Sequence, residues 1–252
     1  LESGNPDFPF CLCWANHSWK AKSWDPTIKD RVLMEQTYPG EDDYRNHFYA
    51  MLPAFKDRRY MKYKGKLIFG IFDPVGIPDM DVMYKVWNEL ARENGLEGFY
   101  FFGFCQGLGI LNKVKADQYD ALVYDAMYDA VYCHLESFVN KFKAKFFKGP
   151  VPMDYSYYVK IASDCFKRKK GTVPCILPNF DHSPRSGSKA VILHDSTPRK
   201  WRNLCDETIS GLSEDDLLFI KAWNEWGEGN YLEPDMRHGK KFIEELSESL
   251  KK

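Results

Sequence analysis

Two glutamates near the C-terminal end of the chain lie three residues apart between two tryptophans, in the segment Trp223-Asn224-Glu225-Trp226-Gly227-Glu228-Gly229. Residues three apart on a straight strand face opposite ways, so both carboxylates reach one cleft only if the chain turns after Asn224, which the glycines permit. Tryptophan walls that exclude water from one carboxylate favour its protonated form, while the more hydrated one stays ionised. A proton donor beside a carboxylate is what cleavage of a glycosidic bond requires. The alternative is a solvated loop with two incidental acids.

A second group of aromatic and polar residues lies near the start of the chain, in Cys13-Trp14-Ala15-Asn16-His17-Ser18-Trp19. Trp14 and Trp19 could stack on sugar rings, since aromatic faces line ligand clefts. Asn16 and His17 could form hydrogen bonds with sugar hydroxyls. The alternative interpretation is a core tryptophan followed by a turn.

Four more polar residues follow predicted strands: Asp73, Asp125, Asp181 and His182. Each of these alone is more often a cap or turn former than a catalytic group. Of the four, we keep Asp181 and His182 as candidate substrate-binding residues.

Short apolar runs alternate along the chain with longer segments of helical periodicity. The predicted strands cover Phe10–Ala15, Lys66–Phe72, Gly98–Cys105, Ala121–Tyr124, Val173–Leu177 and Leu217–Trp223. The predicted helices cover Glu41–Phe55, Asp79–Asn94, Leu135–Phe147, Ser156–Lys170, Lys200–Ser210 and Gly239–Lys252. Continuously apolar strands that alternate with helices indicate a parallel sheet covered by helices.

Two α/β architectures fit this alternation: a doubly wound open sheet and a (β/α)₈ TIM-type barrel. No glycine-rich phosphate loop follows the first strand, which disfavours the open sheet. Polar residues at the end of nearly every strand favour the barrel, whose active site collects groups from many strand ends. Because six strands are found rather than eight, we expect the first two βα units to be missing, and we predict one catalytic barrel domain over residues 1–252.

Composition excludes some classes of protein. The chain has 35 basic and 36 acidic residues, a balance that argues against a nucleic-acid partner. No apolar run is long enough to span a bilayer. The seven cysteines, mostly in apolar runs, indicate small buried side chains in a reducing compartment and no metal site. We therefore expect a cytoplasmic protein without a cofactor, although the start resembles a loop entered midway and a natural N-terminus with a signal peptide could precede it.

The segments Phe8–Asn16 and Ala222–Asp235 resemble the WbsX family, whose members occur in bacterial polysaccharide and O-antigen gene clusters. That family is related to the family 99 glycoside hydrolases, the endo-α-mannosidases and endo-α-mannanases. Arg58–Lys62, Ile77–Asp79 and Asp181–Arg185 also match the WbsX pattern, so the resemblance covers nearly the whole chain.

The resemblance implies a (β/α)₈ barrel with more chain before Phe8, and it assigns separate roles to the two glutamates. Glu225 would act as a base on the sugar 2-hydroxyl, through a 1,2-anhydro sugar intermediate, and Glu228 would be the general acid/base on the leaving oxygen. Asn224 and Trp226 would help to bind the sugar. The sequence departs from the hydrolases at Gly227, where they usually carry histidine, which puts the identity of the substrate in doubt.

We therefore expect a retaining enzyme that cleaves or transfers α-linked, mannose-like sugars of a bacterial polysaccharide or O-antigen. A nucleotide-sugar glycosyltransferase is the first alternative, although no phosphate loop or Asp-x-Asp metal motif supports it beyond Asp79-Met80-Asp81. A carbohydrate-binding protein without catalytic activity, which keeps the aromatic cleft, is the second alternative.

Overall fold

The computed structural model describes residues 1–21, 29–132, 139, 142, 145–146, 148–169 and 171–251. The chain divides into two compact units. The first unit comprises Leu1–Cys105 and Asn112–Leu122, and the second comprises Gln106–Leu111 and Val123–Lys252.

The first unit is built on parallel strands covered by two long helices. Its elements are β1 (Leu12–Trp14), β2 (Trp19–Ala21), β3 (Arg31–Met34), α1 (Glu41–Phe55), β4 (Lys62–Tyr63), β5 (Lys66–Ile71), α2 (Met80–Glu93), β6 (Phe99–Gln106) and a 3₁₀ turn at Ala116–Gln118. Strand β5 pairs in parallel with β1 on one side and with β6 on the other. Strand β4 pairs antiparallel with β5, and β2 with β3.

Aromatic side chains fill the core of the first unit. Trp87 of α2 is fully buried and its ring lies 4.8 Å from that of Phe69 and 5.1 Å from that of Phe99. Its indole N–H donates to the carbonyl oxygen of Tyr44 at 2.9 Å, which ties α2 to α1. Aromatic pairs at these separations add to the free energy of burial. These aromatic rings are therefore core packing rather than ligand contacts.

The second unit contains two groups of parallel strands, one around β9 and one formed by β8 and β11, together with the C-terminal helices. Its elements are α3 (Leu108–Leu111), β7 (Ala121–Asp125), α4 (Met127–Tyr132), β8 (Val151–Asp154), α5 (Tyr155–Arg168), β9 (Val173–Ile176), β10 (Phe180–Asp181), α6 (Ser183–Ser186), β11 (Val191–His194), α7 (Pro198–Ile209), β12 (Phe219–Ile220), β13 (Asn224–Glu225), β14 (Asn230–Tyr231), α8 (Lys241–Ser249) and 3₁₀ turns at Gly187–Lys189 and Trp226–Glu228. Strand β9 pairs in parallel with β7 and β12, and β11 pairs in parallel with β8 and antiparallel with β10.

Local signals start the two long helices of this unit. The carboxylate of Asp154 accepts the backbone N–H of Ser156 at 2.7 Å at the start of α5. At the start of α7, the hydroxyl oxygen of Thr197 accepts the backbone N–H of Lys200 at 3.3 Å, and Pro198 takes the first helical position. Between the helices and strands, Trp201 is fully buried and donates its indole N–H to the carbonyl oxygen of Phe242.

The alternation of strands and helices confirms the predicted α/β class. Five of the six predicted strands are found within two residues of their expected bounds, whereas the last one shortens from Leu217–Trp223 to Phe219–Ile220. Five of the predicted helices are found, and the sixth, Leu135–Phe147, lies for the most part outside the described residues. Strands β8 and β11 were not predicted.

Six cysteines are described, and none of these six forms a disulfide. Cys105, Cys175 and Cys205 are buried as predicted, whereas Cys13 is exposed. Within the described ranges, no helix combines the length and the apolar character needed to cross a membrane.

Candidate active site

The two glutamates lie on a short hairpin in the second unit. Asn224 and Glu225 form β13, which pairs antiparallel with β14, and the 3₁₀ turn at Trp226–Glu228 connects the two strands. Because a turn rather than a straight strand separates them, the two carboxylates need not face opposite ways.

Gly229 closes this turn in the left-handed conformation, with φ of 51° and ψ of 32°. A Cβ atom at this position would lie 2.8 Å from Cβ of Asp181 and 2.9 Å from its backbone nitrogen. Only glycine adopts this conformation readily and also permits so close an approach. The hairpin therefore packs directly against strand β10.

Arg185 bridges the two acids. Its Nη2 donates to Oε1 of Glu225 at 2.9 Å, and its Nη1 donates to Oε1 of Glu228 at 2.8 Å. The guanidinium lies over Gly227, where a Cβ atom would be 3.0 Å from Nη2 and 3.1 Å from Nε. Hydrogen bonds between a guanidinium and carboxylates are short, directional and charge-assisted. The structure thus brings both glutamates to one cation, a residue that the sequence analysis did not single out.

His182 also lies close to Glu228. Its Nε2 lies 3.6 Å from Oε1 of Glu228, beyond hydrogen-bonding distance, and its Nδ1 lies 2.8 Å from the hydroxyl of Ser186. The ring stacks on Phe180, with 11° between the planes. Since the hydroxyl and the phenylalanine fix the ring, a small approach of Glu228 or of a ligand would complete a hydrogen bond to Nε2.

Asp181 stabilises the turn after β10 and also lies beside the hairpin. Its Oδ1 accepts the backbone N–H of Ser183 at 2.9 Å, in the turn that leads to Arg185. Asp181 is half-buried, and its backbone contacts Gly229. The same residue therefore lies between the turn that precedes Arg185 and the turn that carries Glu228.

Trp226 forms an aromatic platform next to the acids. Its ring lies parallel to that of Tyr231, with 3.7 Å between centroids, and its indole N–H donates to Oε2 of Glu233 at 2.6 Å. Trp226 remains 46% exposed, so it offers surface to a ligand. Asn224 is exposed on the same hairpin.

The hairpin is anchored by two asparagine side chains. Asn179 accepts the N–H of Tyr231 at 2.8 Å through its Oδ1 and donates to the carbonyl of the same residue at 3.0 Å. Asn230 is fully buried and donates to the carbonyl oxygens of Asn179 and Lys221. These hydrogen bonds join the hairpin that carries the two acids to the segments around Asn179 and Lys221.

A buried ion pair lies at the C-terminal ends of β7 and β12. Nζ of Lys221 is 2.9 Å from Oδ2 of Asp125, whose side chain is fully buried. Burial lowers the pKa of Lys221, but the charge and the hydrogen bond of Asp125 raise it by more, so the net direction is upward. Asp125 also accepts the N–H of Met127 at 2.9 Å, at the start of α4. This aspartate is therefore a structural group rather than one open to a substrate.

A cavity of about 470 Å³ lies beside Gly229 and Asp181. Tyr231, His194 and Arg237 contribute to its lining. A volume in this range accommodates a small ligand. The cavity borders the base of the hairpin, and neither Glu225 nor Glu228 lines it.

Asp154, His194 and Asp195 bring ligand-type atoms within 4.8 Å of one another at the ends of β8 and β11. These groups already have partners: Nζ of Lys200 lies 3.3 Å from both oxygens of Asp154, and Nδ1 of His194 lies 2.8 Å from Oδ2 of Asp195. A lysine ammonium supplies the positive charge that a cation would bring, so we assign no metal to this group.

The remaining candidates lie in the first unit, on β1, on β2 and between these two strands. Trp14 packs edge-on against Tyr38 and His47, while His17 and Trp19 are exposed. The tryptophan of β1 is therefore partly a packing residue.

Asn16 is only 2% exposed, and its side chain is committed to internal hydrogen bonds. Its Oδ1 accepts the N–H of Asp73 at 2.7 Å, and its Nδ2 donates to the carbonyl oxygen of Asp73 and to the hydroxyl of Tyr38. This residue ties the end of β1 to the end of β5, and it can act on a ligand only by positioning Tyr38.

Comparison with known proteins decides the family. The model of the family described as Glycosyltransferase WbsX matches residues 1–246. The chain belongs to this family. At 27% identity, it also matches the protein WxcX of Xanthomonas campestris pv. campestris in two strains, over 96% of the chain and 34% of the relative. The chain thus spans about a third of the length of the curated relatives it matches.

Solved structures show the fold. A glycoside hydrolase-like protein superposes with a TM-score of 0.55 at 13% identity, covering 84% of this chain and 62% of that one. The family 99 endo-α-mannosidase from Bacteroides thetaiotaomicron superposes with a TM-score of 0.51 at 12% identity, covering 86% and 65%. The predicted (β/α)₈ barrel class is thereby confirmed, since the parallel strands and covering helices match those of a family 99 enzyme.

Proposed function

We propose that this chain carries the acid/base pair of a retaining carbohydrate-active enzyme that acts on α-linked, mannose-like sugars of a bacterial polysaccharide or O-antigen. The observation that carries the proposal is the convergence of Glu225 and Glu228 on one guanidinium, with both carboxylate oxygens within 3 Å of Arg185. Two carboxyl groups close together, one as acid and one as its partner, suit glycosidic bond cleavage with retention.

The separate roles of the two glutamates are those that the family resemblance implies. Glu225 takes the proton of the sugar 2-hydroxyl, which then closes on the anomeric carbon while the glycosidic bond breaks. Glu228 gives a proton to the leaving oxygen and then withdraws one from the incoming water or acceptor hydroxyl, while Glu225 returns its proton to the 2-oxygen as the anhydro ring opens. His182 stands 3.6 Å from Glu228 and can hold it in place once substrate is bound.

Binding is assigned to the surface around the pair. The open face of Trp226 can stack on a sugar ring, and Asn224 can form a hydrogen bond with a ring hydroxyl. Asp181 borders the cavity of about 470 Å³, which offers room for a neighbouring sugar residue. Trp14, Asn16, His17 and Trp19 complete the proposal as substrate contacts of the first unit, with Asn16 acting through Tyr38.

The test compares wild-type protein with Glu225→Gln and Glu228→Gln on α-mannan and on O-antigen oligosaccharides. Each amide variant keeps the size of the side chain but cannot exchange a proton, so release of new reducing ends should fall by at least about 100-fold, the usual contribution of a general acid or base. Glu244→Gln, on the exposed face of α8, is the matched control and should keep full activity.

Two outcomes would replace the proposal. Turnover that appears only when a nucleotide sugar is supplied would make the protein a glycosyltransferase of polysaccharide synthesis. Binding of an α-linked polysaccharide without release of sugar from any such substrate would make it a carbohydrate-binding protein.

A further inference from the structure

Each of the two glutamates is bonded to Arg185 through one oxygen only. Oε1 of Glu225 accepts from Nη2 at 2.9 Å, and Oε1 of Glu228 accepts from Nη1 at 2.8 Å. His182 also approaches Glu228 at Oε1, at 3.6 Å. Among the residues that the structure describes, no hydrogen bond reaches Oε2 of either glutamate. Arg185 therefore distinguishes the two oxygens of each acid, because it holds one and leaves the other open.

This arrangement is compatible with either protonation state of a glutamate. A protonated carboxyl group donates from one oxygen and still accepts hydrogen bonds at the other. A guanidinium on Oε1 thus leaves Oε2 able to give a proton or to take one, which are the tasks proposed for Glu228 and Glu225. Because Nη1 and Nη2 of Arg185 belong to one rigid planar group, the two Oε1 atoms are also held at a fixed separation.

The bridge depends on the absence of a side chain at Gly227. A Cβ atom there would lie 3.0 Å from Nη2 of Arg185, 3.1 Å from its Nε and 3.1 Å from Oε1 of Glu225. These distances are shorter than ordinary van der Waals contacts, so the guanidinium or the carboxylate would have to move. Glycine at this position therefore gives the guanidinium its place between the two acids.

Without the bridge, both acids could change rotamer. The side chains of Glu225 and Glu228 are 40% and 24% exposed, and rotation about the bonds of a glutamate side chain has several staggered minima. Proton transfer needs the reacting oxygen within hydrogen-bonding distance of the substrate, and a displacement of about 1 Å can lower the rate by about 100-fold. Ion pairs at this exposure add little to the free energy of unfolding, so we expect the effect of the bridge in kcat rather than in stability.

We propose that Arg185 is a positioning residue of the acid pair, which anchors Oε1 of Glu225 and of Glu228 so that Oε2 of each is left to react with the substrate. The inference rests on the proposed function and adds to it the residue that fixes the two acids, together with the glycine that admits it. Arg185 exchanges no proton itself, because a guanidinium remains protonated in proteins.

The first test measures kcat and KM of Arg185→Ala and Arg185→Lys on the α-linked substrate that the wild type cleaves. In Arg185→Ala, kcat should fall by about 100-fold, while KM stays within about twofold and the midpoint of urea unfolding is unchanged. Arg185→Lys keeps the charge but has no planar fork to span two carboxylates, so kcat should fall by a similar factor. Arg199→Gln, which removes an exposed arginine at the start of α7, is the control and should keep the wild-type kcat.

Chemical rescue separates positioning from a general structural role. Guanidinium ion, added to Arg185→Ala well below the concentration that unfolds the protein, should restore part of kcat, because it can occupy the space between the two Oε1 atoms. Sodium chloride at the same ionic strength should not. Adding Gly227→Ala to Arg185→Ala fills that space and should abolish the rescue. Gly109→Ala is the matched control, since nothing lies within 4 Å of its added Cβ, and it should leave the rescue intact.

A measurement without substrate tests the bridge directly. Phenylglyoxal modifies accessible guanidinium groups, and peptide mapping gives the rate at each arginine. Arg185 is 45% exposed but bonded to two acids, so it should react more slowly than the exposed Arg199, for which no ion pair is found in the described part of the chain. In the double variant with Glu225→Gln and Glu228→Gln, Arg185 should react at a rate close to that of Arg199.

Wild-type kcat in Arg185→Ala or Arg185→Lys, absence of rescue by guanidinium, or equal modification of Arg185 and Arg199 would each overturn the inference. Loss of activity in Glu225→Gln and Glu228→Gln without loss in Arg185→Ala sinks the inference alone. The proposed function fails instead when the two glutamate variants keep full activity or the wild type releases no sugar, and the positioning role then fails with it.

Discussion

Replacement of Gly229 by alanine tests the close packing of the acid-bearing hairpin. This glycine has φ of 51°, and an added Cβ would lie 2.8 Å from Cβ of Asp181, 2.9 Å from its nitrogen and 3.1 Å from its carbonyl oxygen. The left-handed conformation costs alanine about 1–2 kcal/mol. Overpacking against backbone that cannot move freely costs about 1–3 kcal/mol more. Together, Gly229→Ala should lower the free energy of unfolding by about 2–5 kcal/mol.

Gly239 provides the matched control. It belongs to the same unit and has a similar φ of 59°, but nothing lies within 4 Å of the position where its Cβ would be. Gly239→Ala should therefore show only the conformational cost of about 1–2 kcal/mol. The difference between the two variants, about 1–3 kcal/mol, isolates the contact with Asp181.

The assay is urea unfolding of both variants, followed by tryptophan fluorescence and by circular dichroism. Coincident transitions with unchanged slope permit comparison of the midpoints as free energies. If the two substitutions destabilise the protein equally, or if Gly229→Ala is the milder one, the hairpin does not pack on Asp181 as described.

Four further predictions concern a buried ion pair, the platform beside the acids and a buried cysteine. Asp125→Asn removes the carboxylate that is paired with the buried ammonium of Lys221. The free energy of unfolding, measured by urea titration, should therefore fall by about 3–5 kcal/mol. A smaller loss would show that this ion pair does not stabilise the fold. The pKa of Lys221 is raised in the folded protein, so its protonated form stabilises the fold. This contribution to the free energy of unfolding is complete below about pH 10.4, the pKa of an unfolded lysine, and is lost as the pH rises through the folded pKa. Lys221→Met should remove this part of the alkaline fall in melting temperature. Trp226→Phe loses the hydrogen bond from the indole N–H to Glu233 but keeps a ring that stacks on Tyr231, so it should lower the melting temperature less than Trp226→Leu. A larger drop for Trp226→Phe would contradict the stacking. Burial raises the pKa of Cys105 to about 12, so iodoacetamide should label it only in denaturant, and labelling of the native protein at the same rate would contradict its burial.

The elements that the sequence predicts well are those with long, regular signals. Helix α1 matches its predicted bounds, because acidic residues open it after Gly40 and apolar positions recur at helical spacing. The turn at Lys64-Gly65, with positive φ at both residues, connects β4 to β5 as the glycine indicates.

Short strands that depend on distant partners could not be predicted in the same way. Strand β8 includes Pro152, which is uncommon inside a paired strand. Its parallel partner β11 lies in the apolar run Ala190-Val191-Ile192-Leu193, but so short a run does not by itself distinguish a strand from a helix. The last predicted strand shortens because it pairs with β9 only at Cys175 and Ile176. Pairing of this kind is decided by tertiary structure and not by local propensity.

The candidate site shows the same limit. The unusual residues around Glu225 and Glu228 draw attention to the acids, but nothing in the local sequence shows that Arg185 bridges them from another segment. The signal that could have identified it is the match of Asp181–Arg185 to the WbsX pattern, in a turn where Asp181 accepts the N–H of Ser183 before the short helix α6.

The anchoring of the hairpin through Asn179 affects how this site can diversify. One amide side chain holds the backbone of Tyr231 on both its N–H and its carbonyl, and Glu233 holds the indole of Trp226, so the contacts that fix the hairpin end before residue 236. The exposed residues Met236 and Arg237 can therefore vary in an engineered library without displacing Glu225 or Glu228. Such a separation of a fixed reaction centre from a variable border allows one scaffold to acquire new sugar preferences by substitutions in a single loop.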